Sequence, residues 1–263
     1  RNILGDTAEV EKFTREDVVE FHKARLTKDA VVFSVSGNYD ADQAKSLFTQ
    51  YFPSSEFDQP ATETASLASD FGGTGQTLEV DTDKVQAIVQ IGFPGISIES
   101  EDRVALDLID QSLSGLASRL FMRIRERQSL AYFVGAAQLV GIDPGYFMFY
   151  AGTRPDTSIK VRDEILDEIG LIVEDGLDPD EFKRAKAQVN GKRLLQNQSS
   201  AQQAMIASLN VLYGLGIDYE DNYQAKLDAL TPEDVHAVAK KVFGEKNYVC
   251  VIVQPDQTPS ATE

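Results

Sequence analysis

The sequence predicts an α+β fold, with a mixed or antiparallel sheet packed against helices. Three observations carry that prediction. Strand-like runs and amphipathic helical stretches fall into blocks rather than alternating one for one, the pattern of α+β rather than doubly wound architectures. Two strand-like runs meet at Asp143, Pro144 and Gly145, residues suited to a reversing turn. A helix-plus-strand unit at the start of the chain returns at its end.

The elements follow in order. Thr14, with Glu16 and Asp17 behind it, reads as a helix N-cap followed by acids where the helix dipole favours them, and that helix runs to about Leu26. DAVVFSVSG is β-branched and reads as a buried strand ending at Gly37, and ADQAKSLFTQYF follows as an amphipathic helix. PSSEFDQPATETASLASDFGGTGQT has no apolar period and reads as a linker.

VQAIVQIGF alternates Val85, Ala87, Val89, Ile91 and Phe93 against Gln86 and Gln90, the two-residue period of a strand with one wetter face. Ser100 caps the next helix, which breaks at Gly115, and a second helix is expected from about Ser118 to Gln128. LAYFVGAAQLVG and GYFMFYAGTR form a hairpin through 143–145. The remainder is mostly helical: about 156–175, one long stretch from Asp178 to Tyr213, a short piece near 219–229, then the repeated helix and last strand.

In the repeat, LTPEDVHAVAKKVFGEKNYVCVIV aligns with FTREDVVEFHKARLTKDAVVFSVS, with Thr231 on Thr14 at an offset of 217 residues. Val18 falls on Val235, Lys23 on Lys240, and the run centred on Val32 on that centred on Val249. The expected organisation is therefore residues 1–53 as the C-terminal tail of a first domain, 54–77 as a linker, and 78–263 as a second, homologous domain.

Composition excludes several classes. With 42% hydrophobic and 25% charged residues the chain is too apolar to be disordered, and no apolar run reaches the roughly 20 residues that span a bilayer. A net charge of -17 argues against nucleic acid or an anionic membrane as partner, because phosphates attract cations. The opening residues lack the basic start and apolar run of a secretory signal. The lone Cys250 lies in YVCVIV and reads as a small core hydrophobe.

Catalytic motifs of the common kinds are missing. The only histidines, His22 and His236, have no second histidine at helical spacing, so the chain alone offers no zinc site and both read as helix surface or rim residues. There is no G-x-S-x-G, GGTGQT lacks the lysine of a phosphate loop, and DEILDEIGLIVEDGLDPDEF reads as a solvated helix face. NQS at 197–199 fits a glycosylation sequon by pattern only, inside a helix.

One stretch stands apart. SRLFMRIRERQSLAYFVGA (118–136) carries Arg119, Arg123 and Arg127 in an i, i+4 row beside an apolar face of Leu120, Phe121 and Ile124. That row reads as a basic helix side paired with nearby carboxylates. Arg125 belongs to neither row, and Tyr132 lies seven residues on. A helix running straight into a strand can bring both tips toward one spot.

This stretch closely resembles the second-domain signature of the pitrilysin (insulinase) zinc metallopeptidases, in which an arginine and a tyrosine at this spacing support catalysis. Arg125 and Tyr132 match that pair. NILGDTAEVEKFTREDVVEFHKARLTKDAVVFSVSGNYDADQAKSLFTQYF resembles the end of the family's preceding domain, and VQAIVQIGFPGISIESEDRVALDLIDQSL the opening of the next. The zinc-binding H-x-x-E-H and its distal glutamate do not occur here, so no metal ligand carries over. Nor does the long glycine-rich loop of mitochondrial processing peptidase, since Ser112 to Ser118 holds only Gly115.

The resemblance implies a non-catalytic, substrate-binding half or subunit that is inactive alone. Zinc is expected on a partner domain or subunit, and an unfolded peptide is the expected substrate. Arg125 would position the peptide backbone and Tyr132 would donate a hydrogen bond in the transition state. A bacterial periplasmic setting fits the family. The alternative is a structural subunit of the same fold with no peptidase role, as in the core subunits of respiratory complexes, because fold does not fix function.

Overall fold

The computed structural model describes residues 5–27, 31–52 and 73–255, so most of the stretch read as a linker lies outside the described residues. The chain divides into two compact units, one formed by described residues up to 52 together with Gln196–Ile217, the other by those from 73 to Leu195 together with Asp218 to 255.

The larger unit is built on a five-stranded mixed sheet. Its strands are β1 (Gln76–Thr82), β2 (Ala87–Pro94), β3 (Ala131–Leu139), β4 (Tyr146–Thr153) and β5 (Val249–Pro255), in the order β1-β5-β2-β4-β3. Only β1 and β5 pair in parallel; β2 pairs antiparallel with β5 and β4, and β4 with β3. The first residues of β1 belong to the glycine-rich end of the stretch read as linker: Gly75, with a positive φ of 72°, donates its N–H to the Tyr248 carbonyl and delivers the chain into the sheet. Val85 stands outside β2, which starts at Ala87 and then alternates buried and wetter positions as its two-residue period requires.

One face of the sheet is the core. Register aligns Phe149, Ile91 and Cys250 across three strands and Ala151, Val89 and Ile252 in the row beside them, all fully buried. Helices α4 (Arg103–Leu113), α5 (Ser158–Asp175) and α9 (Pro232–Phe243) cover that face. Phe243 of α9 meets the rings of Phe93, Phe147 and Phe149 with centroids 5.0–5.7 Å apart, at angles that aromatic quadrupoles prefer. Each such fully buried side chain contributes about 1.5–3 kcal/mol. Cys250 sits in this core, and burial pushes its thiol up, as its apolar surroundings require.

Helices α6 (Pro179–Gln196) and α7 (Ser200–Leu212) replace the single long stretch expected from Asp178 to Tyr213, and α8 (Tyr219–Ala229) forms where a short helix was expected. The break falls at Asn197–Ser199, where the Ser199 hydroxyl accepts the Gln202 N–H at 3.2 Å. A serine that can cap a new helix competes with continuation of the old one. Ser100, by contrast, does not cap α4 as expected: three residues before the helix, its hydroxyl accepts the Asp102 N–H, and Asp102 occupies the N-cap position.

The smaller unit contains α1 (Thr7–Val10), α2 (Arg15–Arg25), α3 (Ala41–Tyr51) and α7. The Thr14 cap expected from sequence forms a full capping box, with Asp17 accepting the Thr14 N–H at 2.8 Å and Thr14 accepting the Asp17 N–H at 3.2 Å. Its counterpart Thr231–Asp234 shows the same box at 3.0 and 3.2 Å. In both, the hydrogen bond from the threonine hydroxyl holds the aspartate below the usual carboxylate range. The strand expected at DAVVFSVSG does not form among the described residues 31–36. Its repeat counterpart, β5, is held by β1 and β2, and no described strand lies alongside 31–36 to supply equivalent hydrogen bonds.

Candidate functional site

The helix expected over 118–128 is present with altered winding: after one α-helical step, Phe121–Glu126 is a π-helix. Arg127 donates its N–H to the Met122 carbonyl, five residues back, at 3.1 Å. The wider turn buries Leu120, Phe121 and Ile124 together, the apolar face read from sequence, and such local widening often marks functional sites.

The same segment sorts its arginines. Arg119 and Arg123 converge on the buried carboxylate of Glu168 in α5: Arg119 through Nε, Arg123 through Nη1 at 2.9 Å. Arg123 also reaches Glu164 at 2.7 Å and Asp167 at 3.4 Å, and Arg119 reaches Glu181 at 3.7 Å. This is the carboxylate pairing expected of the i, i+4 row for two of its three members; no ion pair takes up the Arg127 guanidinium among the described residues. Burial works against the Glu164 charge, but hydrogen bonds from Gln128 and Arg123 outweigh it and hold its carboxyl low. Burial pushes the Glu181 carboxyl up. Arg127 and Arg184 line, with these groups, a cleft of about 630 Å³ between the 117–128 segment, α5 and the start of α6. Neither Arg125 nor Tyr132 lines that cleft.

Arg125 is exposed, and its guanidinium lies 4.9 Å from the centre of the Phe121 ring one turn back. That cation–π contact, worth about 0.5–1 kcal/mol at an exposed site, steadies the side chain while leaving its N–H groups free. No ion pair or hydrogen bond takes up the guanidinium among the described residues. The Arg125 carbonyl accepts the Ser129 N–H at 2.9 Å, and Ser129 adopts a φ of 52°, a left-handed turn that ends the helix and starts the strand two residues later. Thr153 secures the junction by donating its hydroxyl to the Leu130 carbonyl at 2.5 Å.

Tyr132 sits at a bulge. Ala131 pairs with Thr153 and Phe133 with Gly152, so Tyr132 is the extra residue between them. Bulges re-aim side chains, and here two successive residues, Tyr132 and Phe133, both face out while Ala131 and Val134 go to the core. Tyr132 is 58% exposed and its hydroxyl has no protein partner among the described residues. Phe133 lies over Gly152, where a β-carbon would stand 2.3 Å from its ring, so glycine at 152 lets the ring lie flat and fixes the bulge. Thus both tips are free on consecutive elements, and no hydrogen bond joins one to the other.

The side chains of the described residues offer zinc no site. Among the described residues no three histidine, cysteine, aspartate or glutamate side chains gather as a metal group. His22 is exposed near the end of α2, and His236 places Nε2 2.9 Å from the Val173 carbonyl. No helix among the described residues is long and apolar enough to cross a membrane.

Sequence reasoning missed a second polar cluster. On α4, Asp107 accepts hydrogen bonds from the Tyr223 hydroxyl of α8 at 2.7 Å and from Gln138 of β3 at 2.5 Å. Arg193 of α6 stacks 3.6 Å from the Tyr223 ring centre and pairs with Glu220 at 2.5 Å. Burial pushes Asp107 up, and Asp110 rises to about 6 through burial and the neighbouring Asp107 charge. The alternation of apolar pairs along α4 hid these acids as surface residues.

A family model described as "Peptidase M16 inactive domain" matches residues 12–189. The chain belongs to this family. It is an M16 inactive domain, as the resemblance of residues 118–136 to pitrilysin-type peptidases implied. An uncharacterized zinc protease of Streptomyces coelicolor is 29% identical over 260 residues, covering 96% of this chain and 56% of its own length. The peptidase M16 inactive domain from Pseudomonas fluorescens superposes with a TM-score of 0.81 at 20% identity, covering 98% of this chain and 61% of that one. A protease from Helicobacter pylori gives 0.80 at 18% identity, with coverages of 96% and 62%. These likenesses show the fold. The M16 inactive domain described here spans a little over half the length of the curated relatives it matches.

Proposed function

We propose that this M16 inactive domain is the substrate-gripping half of a zinc peptidase, supplying Arg125 and Tyr132 to a cleavage site whose zinc lies on another domain or subunit. One observation carries the reading. In a segment where Arg119 and Arg123 are consumed by carboxylates, Arg125 is held by a ring alone and Tyr132 is turned outward by a bulge. Two side chains kept exposed and unpaired at the junction of a helix and a strand suit a ligand that arrives from outside.

When bound on the companion domain, zinc would supply the activated water. This chain's part is binding and charge stabilisation. The Arg125 guanidinium can donate to backbone carbonyls of an extended peptide, and the Tyr132 hydroxyl can donate to an oxygen that gains negative charge. The alternative structural reading expects Arg125 to be tied up by a carboxylate, and no such pair forms among the described residues.

Mixing the chain with a companion bearing H-x-x-E-H should restore cleavage of an unfolded peptide. Arg125→Ala and Tyr132→Phe should each lower kcat/KM by about 10- to 1,000-fold, with the melting temperature of the chain lowered by no more than about 4 °C. Full activity in both variants would eliminate this role and leave the structural subunit.

A further inference from the structure

The cleft beside the paired arginines holds more cation than its acids consume. Three carboxylates line it, and each is engaged. Glu168 takes Arg119 and Arg123. Asp178 accepts the Asp180 and Glu181 N–H groups at 2.9 and 2.8 Å, closing the first turn of α6. Glu181 accepts the Asp178 N–H at 3.4 Å and stands 3.7 Å from Arg119. Two guanidiniums are left over: Arg127, just past the π-helix, and Arg184, in the second turn of α6. Every other described arginine has a carboxylate within 4 Å or an aromatic ring under its guanidinium. Arg127 and Arg184 have neither, although acids outnumber lysines and arginines 42 to 25 in the chain. That the two arginines without such a partner line the same cleft is the observation to explain.

We propose that this cleft binds a small organic carboxylate with an apolar body, its carboxylate on Arg127 and Arg184 and its body on Met122 and Leu171. The guanidinium fork matches a carboxylate in geometry and charge. Met122 and Leu171 also line the cleft and are 38% and 37% exposed, so an apolar body would remove their surface from water. The volume of about 630 Å³ falls in the range of small-molecule sites. Inorganic phosphate fits less well: its second negative charge would stand near Glu168, Asp178 and Glu181, and it would leave the apolar side chains wet. The proposal uses neither Arg125 nor Tyr132 and stands whether or not the chain assists a peptidase.

Phenylbutyrate tests it, titrated into the chain and followed by calorimetry and by the methyl carbon resonances of the methionines. Of the three methionines only Met122 lines the cleft, so its resonance should move to saturation while those of Met148 and Met205 stay in place. Phenylbutyramide keeps the body without the charge, phosphate the charge without the body, and each should bind at least about 10-fold more weakly. Arg127→Gln and Arg184→Gln are changes at exposed positions that leave the core untouched, and each should weaken phenylbutyrate binding about 10-fold. Lys45→Gln, which removes a charge from α3, should leave the affinity as it is. No saturable shift of Met122 up to about 10 mM would overturn the proposal. So would a shift at Met148 or Met205 in its place, or an equal loss in all three variants. Phosphate or the amide binding as tightly as the acid would overturn the ligand class.

Discussion

Replacing Asp110 with asparagine should stabilise the protein at neutral pH and flatten its pH dependence. Asp110 lies one turn beyond Asp107 on the buried side of α4; burial and the Asp107 charge lift its carboxyl from 3.8 to about 6, with Lys192 opposing. Between those values the folded chain holds a proton that the unfolded chain has released. The stabilisation is complete below about pH 4 and is lost as pH rises through 6. Over the whole interval this amounts to about 3 kcal/mol, and between pH 5 and 7.5 to about 1 kcal/mol. Asparagine keeps the shape of the group and does not titrate. Urea unfolding at pH 5 and 7.5 should therefore show the wild type losing about 1 kcal/mol more than Asp110→Asn across that interval, with the variant the more stable of the two at pH 7.5. Parallel pH profiles, or a variant less stable at pH 7.5, would refute the assignment of a strained buried carboxylate.

Two further outcomes are expected. Glu168→Gln removes the charge on which Arg119 and Arg123 converge, while Glu181, Glu164 and Asp167 retain part of the pairing; the urea midpoint should fall by the equivalent of about 2–3 kcal/mol, and an unchanged midpoint would show the cluster to be idle. Gly152→Ala puts a methyl into the Phe133 ring, so it should cost about 1–3 kcal/mol and also lower peptide turnover with the companion by disturbing the bulge that aims Tyr132. Adding Phe133→Ala should recover the stability, and a neutral Gly152→Ala would show that the ring moves freely.

Much of the fold was legible because its signals are local. The Thr14 and Thr231 caps, the period of 87–93 and the turn at 143–145 each depend on residues within a few positions, and all formed where expected. Where reading and structure part, the deciding contact is distant or competes locally. DAVVFSVSG has every property of a strand except neighbours, and without them its described part stays unpaired. The helix over 178–213 has the right periodicity, but Ser199 offers its hydroxyl to a new first turn. The candidate site was only half legible: sequence names Arg125 and Tyr132, yet no window along the chain shows the π-turn that carries Arg125, or the bulge that exposes Tyr132 and arises from how β3 pairs with β4.

By itself the sequence located most of the helical and extended segments and the similarity of the two ends of the chain, because these follow from short-range periodicity and residue chemistry, while resemblance to a family pointed to Arg125 and Tyr132. Tertiary structure alone decided that Glu168 takes Arg119 and Arg123 but not Arg125, that Asp107 and Asp110 go inside, and that the second copy of the unit is buried while the first is bare. The physical reason is one of range: burial and ion pairing depend on side chains brought together from positions dozens to hundreds of residues apart, and no window along the chain contains both partners.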